Sequence, residues 1–356
     1  MKIFYAVQAT GNGHVSRANE ILPYLSKYGD VDIFLSGSNY ALKTNLPIAY
    51  RSKGLSLEYN QENGSIDVLK TIKNSRLKKI WREAKHLPIE KYDLVINDFE
   101  CITSLACILK GIDSVHFGHQ ASFKSKLVPR PDKKDFIGEL VLANYAKGTK
   151  TIGLHFKNYD KFIHQPIIKK SILEATPIDN RHITVYVSQY KLSHLVKIFS
   201  QLKNFQFHIF SNSIDNISQT DNIKLLPISQ ELFTQSLISC HGIITGAGFE
   251  TPAEALYLNK KLMVVPIAGQ YEQCCNAAAL NRDFNVMSVK EIDEFFISYF
   301  NKWIFDDNTQ KLEITESTEK IVSKIFSSAY SIQSDSIGSE HIPIIPPRWD
   351  VNVNYH

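Results

Sequence analysis

Two glycine-rich segments, one in each half of this 356-residue chain, hold the residue types that could do chemistry. The first is Gly11-Asn12-Gly13-His14, directly after the apolar run Lys2 to Val7. The second is Thr245-Gly246-Ala247-Gly248-Phe249-Glu250, followed by Glu254, a short apolar run to Pro266, and Glu272-Gln273. Glycines let backbone N–H groups come close to a phosphate, and a helix N-terminus favours negative charge. A carboxylate accepts ribose hydroxyls, and an acid–amide pair offers a sugar both an acceptor and a donor. A nucleotide carrying a sugar needs that set, and the two segments together predict a cleft between two domains.

His14 has two readings. It is a structural histidine, or it is a neutral base at the positive end of a helix, where the imidazolium is disfavoured. Asp98, which follows Leu94-Val95-Ile96-Asn97, falls at the same sheet edge and either orients His14 or the acceptor, or caps the helix after it. Glu100 is a candidate of the same kind. His119 and Gln120, past the strand ending at Gly118, face that edge as acceptor-side candidates. Glu250 and Glu254 are four apart, hence on one helix face, and only one need point inward. The first loop does not make a dinucleotide fingerprint: Ser16 replaces the third glycine, and strand two ends in Ser36-Gly37-Ser38 with no ribose-binding acid. Asp30-Val31-Asp32 has the form of a metal-binding pair, but it opens strand two at the opposite edge of the sheet, so a turn and no metal are expected.

The elements that must position these groups follow an alternating pattern. Strands are predicted at 2–7, 31–35, 55–59, 93–97, 114–118 and 151–156, with helices over 15–28, 68–86, 102–110 and 136–147. That alternation means βαβ units and a parallel sheet. A polar, proline-containing stretch reads as a linker, and a second α/β set follows with strands near 183–188, 205–211, 223–227, 242–245 and 262–266 and a helix near 308–328. The expected organisation is a first domain over 1–160, a linker over 161–181, a second domain over 182–330 and an extended tail over 331–356.

Composition agrees with a globular chain: 44% hydrophobic, 21% charged, net charge +4. No apolar stretch reaches the roughly 18 residues that span a bilayer. The N-terminal run is strand-length with no cleavage pattern, so no signal peptide is read. Five cysteines without a Cys-x-x-Cys pair predict reduced thiols and a cytoplasmic protein. Between 68 and 91, Lys70, Lys73, Arg76, Lys78, Lys79, Arg82, Lys85 and Lys91 interleave with apolar residues. The segment is either a helix packed on the sheet with a solvated basic face, or a peripheral contact with anionic lipid on the inner face of a membrane. A nucleic-acid partner is not expected, since the helix has one aromatic and no binding motif accompanies it.

Gly248, Glu254, Pro266, Glu272-Gln273 and Asn276-Ala277 resemble the donor-binding signature of GT-B glycosyltransferases of families 28 and 1, including the peptidoglycan N-acetylglucosaminyltransferase group and an uncharacterised family 28-like bacterial and archaeal set. Gly-Asn-Gly-His-Val-Ser-Arg-Ala is similar to the first loop of the same group. The resemblance implies an α/β GT-B fold, two Rossmann-like parallel-sheet domains facing a central cleft, the C-terminal one binding a UDP-sugar and the N-terminal one the acceptor. It implies a metal-independent, inverting transfer to an acceptor hydroxyl, lipid-linked or on a small molecule, with no cofactor. By position, His14 would be the base and Glu254 would bind ribose. Gly11, Gly13, Gly246, Ala247 and Gly248 would approach the diphosphate, with Glu250 beside them. Ser188 would contact phosphate, Ile228 uracil, and Glu272 and Gln273 the sugar. Three positions depart from the pattern. The family 1 phosphate-contacting histidine is Gly246 here, the glycine-rich turn of the peptidoglycan enzyme is Ser188-Gln189-Tyr190, and Glu272 stands where family 1 has Asp. Gly246 also lies eight positions before Glu254, so the Glu-x7-Glu of many retaining enzymes is absent. Two alternatives share the architecture: a UDP-N-acetylglucosamine 2-epimerase-like isomerase, and a nucleotide-sugar-binding subunit without activity.

Overall fold

The computed structural model describes residues 1–37, 44, 46–54, 77–306 and 310–336. The first sheet comprises β1 (Lys2–Gln8), β2 (Asp30–Ser36), β3 (Ile48–Ser52), β4 (Leu94–Asp98), β5 (Val115–Gly118), β6 (Lys150–Leu154) and β7 (Ile163–His164). Its order is β3-β2-β1-β4-β5-β6-β7, parallel throughout. The second comprises β8 (His182–Tyr186), β9 (Gln206–Ser211), β10 (Ser218–Thr220), β11 (Ile223–Pro227), β12 (Gly242–Thr245), β13 (Lys261–Val264) and β14 (Met287–Ser288). Here the order is β10-β11-β9-β8-β12-β13-β14, with only β10 antiparallel. The helices are α1 (Asn12–Leu25), α2 (Leu77–His86), α3 (Cys101–Lys110), α4 (Phe136–Asn144), α5 (Lys170–Leu173), α6 (Leu192–Phe199), α7 (Gln230–Ser239), α8 (Glu250–Tyr257), α9 (Tyr271–Phe284), α10 (Phe296–Ile304) and α11 (Thr318–Ser336).

Central strands such as β1 and β4 are buried on both faces, which is why they read as continuous apolar runs rather than alternating ones. In each sheet the chain order reverses once beside the first strand, between β1 and β4 and between β8 and β12. Crevices at such switch points, beyond the carboxyl ends of the strands, are where open α/β sheets bind ligands. His14 and Asp98 flank the first crevice, and Ser188 and Gly246 the second.

The halves are tied across the cleft. Tyr271 packs against Gly138, where an added Cβ would lie 2.4 Å from the ring, and its hydroxyl donates to Glu139 at 2.6 Å. Tyr159 donates to Asp283 at 2.6 Å.

Several expectations need correction. The linker segment 161–181 is partly regular: β7 extends the first sheet and α5 follows it. The last helix begins later than expected and runs through Ser336, so 331–336 is helical rather than extended. That helix lies on α1, with Lys27 donating to Glu319 at 2.7 Å and Tyr28 stacked on Phe326 at 3.7 Å. Helix α1 starts at Asn12, which places His14 inside its first turn. Strand β10 and helix α10 were not foreseen. The predicted strand over 55–59, residues 68–76 of the basic segment and most of the tail lie outside the described residues. The described part of the basic segment packs Ile80 and Ala84 inward and leaves Trp81 half exposed beside Lys85. No helix among the described residues is long and apolar enough to cross a membrane.

Candidate functional site

A cavity of about 420 Å³ lies between the sheets, lined by Gly11, Gly13, His14, Arg17, His119 and Gln120 from one side and by Ser188, Gly246, Gly248, Glu250, Glu272 and Gln273 from the other. The N-terminal wall is a hydrogen-bonded cluster. Helix α1 rises from the end of β1, and Asp98 ends the neighbouring β4, so His14 and Asp98 meet at the switch point. His14 Nδ1 and Asp98 Oδ1 are 2.8 Å apart. Arg17, one turn further along α1, forks the same carboxylate: Nε to Oδ2 at 3.0 Å and Nη2 to Oδ1 at 2.8 Å. Tyr5 adds a hydroxyl to Oδ2 at 3.2 Å. Burial alone would raise the Asp98 pKa, but the Arg17 charge, and after it His14, outweigh burial and hold the carboxyl well below the usual carboxylate range.

An ionised Asp98 accepts only, so His14 Nδ1 carries the proton and donates. The 2.9 Å approach of Arg17 Nη2 to that nitrogen follows from their sharing Oδ1. Nε2 is then left with a lone pair on the cavity side, where Gln120 Nε2 stands 3.3 Å away and also donates to Glu272 at 2.9 Å. Phe99 lies parallel to the His14 ring at 6.5 Å and against Tyr145 at 4.8 Å. Its φ of 56° is unusual for a bulky residue and marks local strain beside the dyad.

The C-terminal wall is built differently. Helix α8 opens without a side-chain cap just after the Gly246–Gly248 turn. A Cβ on Gly248 would meet nothing within 4 Å, and one on Gly246 only the Gln273 amide at 3.4 Å. Backbone and open space face the cavity there, which suits a polyanion. Glu250 points inward and reaches across the cleft to Arg17 Nη1. A smaller recess adjoins, lined by Tyr186, Phe210, Ile228, Phe233 and Lys169.

The remaining candidates are placed as follows. Glu254 is 1% exposed and does not line the main cavity; its carboxylate is paired with Lys169 at 3.1 Å. Burial pushes its pKa up and Lys169 opposes that rise. Ala247 is buried, its carbonyl accepting from Asn276 at 3.0 Å. Gln273 accepts from the Ile267 N–H and donates to Gln270. His119 lines the cavity, but both ring nitrogens are engaged, by the Leu154 carbonyl at 3.0 Å and by Asn276 at 2.8 Å, and the ring stacks on Phe249 at 4.0 Å. Burial pushes its pKa down. Glu100 is corrected: it is buried away from the cavity, and both its oxygens cap α3 by accepting from Ile102 and Thr103. The helix cap is therefore Glu100, and Asp98 faces His14. Asp30 and Asp32 sit at the amino end of β2, where Asp32 accepts from Tyr92 at 2.7 Å.

Sequence reasoning did not pick out Arg17, Phe99, Tyr145 or Lys169. Arg17 carried a signal, since it stands three positions after His14 and so shares its helix face. Nothing in the sequence marks Lys169.

The family model of glycosyl transferase family 1 matches residues 1–304. Solved structures with a similar fold include MurG from Acinetobacter baumannii (15% identity, TM-score 0.54, covering 92% of this chain and 99% of that one). VinC in complex with DTDP is similar at 12% identity and TM-score 0.54, with 93% and 100% covered. SnogD from Streptomyces nogalater is similar at 11% identity and TM-score 0.51, with 93% and 95% covered. No curated protein matches the sequence significantly.

Proposed function

The chain belongs to glycosyl transferase family 1 and has the GT-B fold, and from that premise we propose that it is a metal-independent, inverting transferase that moves a sugar from a UDP-sugar to an acceptor hydroxyl. The observation that carries the proposal is His14, with Nδ1 tied to Asp98 and Nε2 turned to the cavity opposite the Gly246–Gly248 turn. A base so placed takes the acceptor proton on Nε2 while the acceptor oxygen bonds to the anomeric carbon. The bond from that carbon to the diphosphate breaks on the opposite face, its electron pair leaving with UDP. One in-line displacement inverts the anomeric configuration. Asp98 keeps the imidazole in the Nδ1–H form and steadies the charge it acquires.

On this reading the diphosphate lies along Gly246 and Gly248, where backbone rather than a side chain faces the cavity, with Gly11, Gly13 and Ser188 close by. The base takes the recess at Ile228, Glu272 and Gln273 meet the sugar, and Glu254, paired with Lys169 in the free protein, turns to the ribose. VinC, whose structure holds DTDP, supports a pyrimidine nucleoside diphosphate in this fold. The acceptor side is the wall of Phe99, Gln120 and Tyr145. The reading places the enzyme in the cytoplasm, acting on a small-molecule or lipid-linked acceptor. Lipid contact through the described basic helix α2 would show as co-sedimentation with anionic vesicles.

The test is incubation with a panel of UDP-sugars and candidate acceptors in chelator, with the product anomer read by NMR. Transfer with inversion is expected. Retention, or transfer that stops on chelation, would contradict it. Interconversion of UDP-sugars without an acceptor would instead favour the isomerase.

A further inference from the structure

The Arg17–Glu250 pair joins an N-terminal helix to a C-terminal one inside the cavity. Arg17 is 3% exposed, and its guanidinium is shared between Asp98 and Glu250, two carboxylates for one cation. Glu250 is the looser partner, its side chain 20% exposed against 0% for Asp98. Its other oxygen lies over the first glycine loop, where a Cβ on Gly13 would be only 2.6 Å away. The carboxylate therefore occupies the gap between the two glycine turns. An anionic ligand entering that gap meets a net negative cluster unless Glu250 withdraws.

We propose that Glu250 is a resting counter-ion occupying the diphosphate position, and that the incoming donor displaces it so that Arg17 contacts the diphosphate and neutralises the leaving UDP. This inference rests on the UDP-sugar reading. It supplies a cation to a site where the phosphate-facing turn carries Gly246 and no charged side chain. No covalent step is added: the electron pair of the broken anomeric bond still departs on the phosphate oxygen, now beside a guanidinium. Asp98 stays paired to Arg17 throughout, so His14 keeps its orientation while Glu250 swings away.

Calorimetric titration of wild-type protein and E250Q with UDP, UMP and inorganic pyrophosphate tests it. Removing the competing charge should tighten UDP and pyrophosphate by about threefold or more and leave UMP within about twofold, because a charge-assisted contact is then made without displacing an anion. R17K, which keeps the charge but loses the fork, should weaken UDP about tenfold and UMP little. If E250Q leaves UDP and pyrophosphate unchanged, or weakens them, Glu250 is no placeholder and the inference falls. If R17K misfolds, E250Q alone decides. Should wild-type protein ignore both uridine nucleotides while pyrophosphate tightens in E250Q, the UDP reading fails and the counter-ion stands.

Discussion

The two walls of the cleft solve opposite problems. On the N-terminal wall both Asp98 oxygens and the Nδ1 of His14 have fixed partners: His14, Asp98, Arg17 and Tyr5 form one cluster in which Asp98 is fully buried. On the C-terminal wall the key feature is missing matter, a glycine turn with open space before it and a helix start without a side-chain cap. A reacting group gains from being held in one geometry, since proton transfer depends on distance and tautomer. A large anionic ligand gains from backbone donors and from the space before them, which only the partly exposed Glu250 has to clear. Substitutions in the His14–Asp98 dyad and in the glycine turn should therefore fail differently, the first in turnover and stability and the second in affinity.

The largest effect is expected at His14. His14→Ala should lower transfer by roughly 10²–10⁴-fold, the usual range for a lost general base. Transfer within a few-fold of wild type would place the base elsewhere. Asp98→Asn should also slow transfer, and in a urea titration it should lose ~1–3 kcal/mol, because Arg17 keeps Glu250 but loses its charge-assisted bonds to a fully buried carboxylate. An unchanged midpoint would mean that the cluster adds little to folding. The opposite wall should show the reverse pattern. Gly248→Val adds atoms where nothing lies within 4 Å, so the unfolding midpoint should hold while UDP affinity drops about tenfold or more. Equal UDP affinity in that variant would remove the diphosphate from the turn. Glu254→Ala should weaken UDP by about tenfold, the loss of one charge-assisted contact. No loss would assign the Lys169 pair to structure alone.

The smallest effect is shared by both halves of the chain. Burial lowers the pKa of His116 to about 4 and of His208 to about 3, and lowers His119, His155 and His182 as well. Imidazoles with depressed folded pKa values stabilise the fold fully above the unfolded value of about 6.5, and that stability is lost as pH falls toward the folded values. The melting temperature should thus decline between pH 7 and pH 5 in one transition. A flat profile would mean that these imidazoles take up protons without unfolding.

Much of this contrast was legible in the sequence. The alternation of apolar runs and helical stretches gives two parallel sheets because βαβ units leave few other arrangements. Both glycine turns fall after strands, so their place at the sheet edge follows from topology. His14 and Asp98 could be paired as candidates because each ends or follows a strand at the same edge. That they touch depends on β1 and β4 being neighbours, which strand order decides and local pattern does not. The Lys169–Glu254 pair spans 85 positions and the Tyr28–Phe326 stack nearly the whole chain, so neither the ribose-side pairing nor the fold-back of α11 had a local signal. Glu100 was misjudged because a carboxylate after a strand reads alike whether it faces a ligand or caps the next helix.

The division of labour between the walls is tested most directly by titrating UDP, GDP and ADP into wild-type protein and His14→Ala in chelator. The account predicts UDP binding that exceeds GDP and ADP by at least tenfold and is equal in the two proteins. A His14→Ala protein that no longer binds UDP, or a wild-type protein that does not prefer it, would contradict the account.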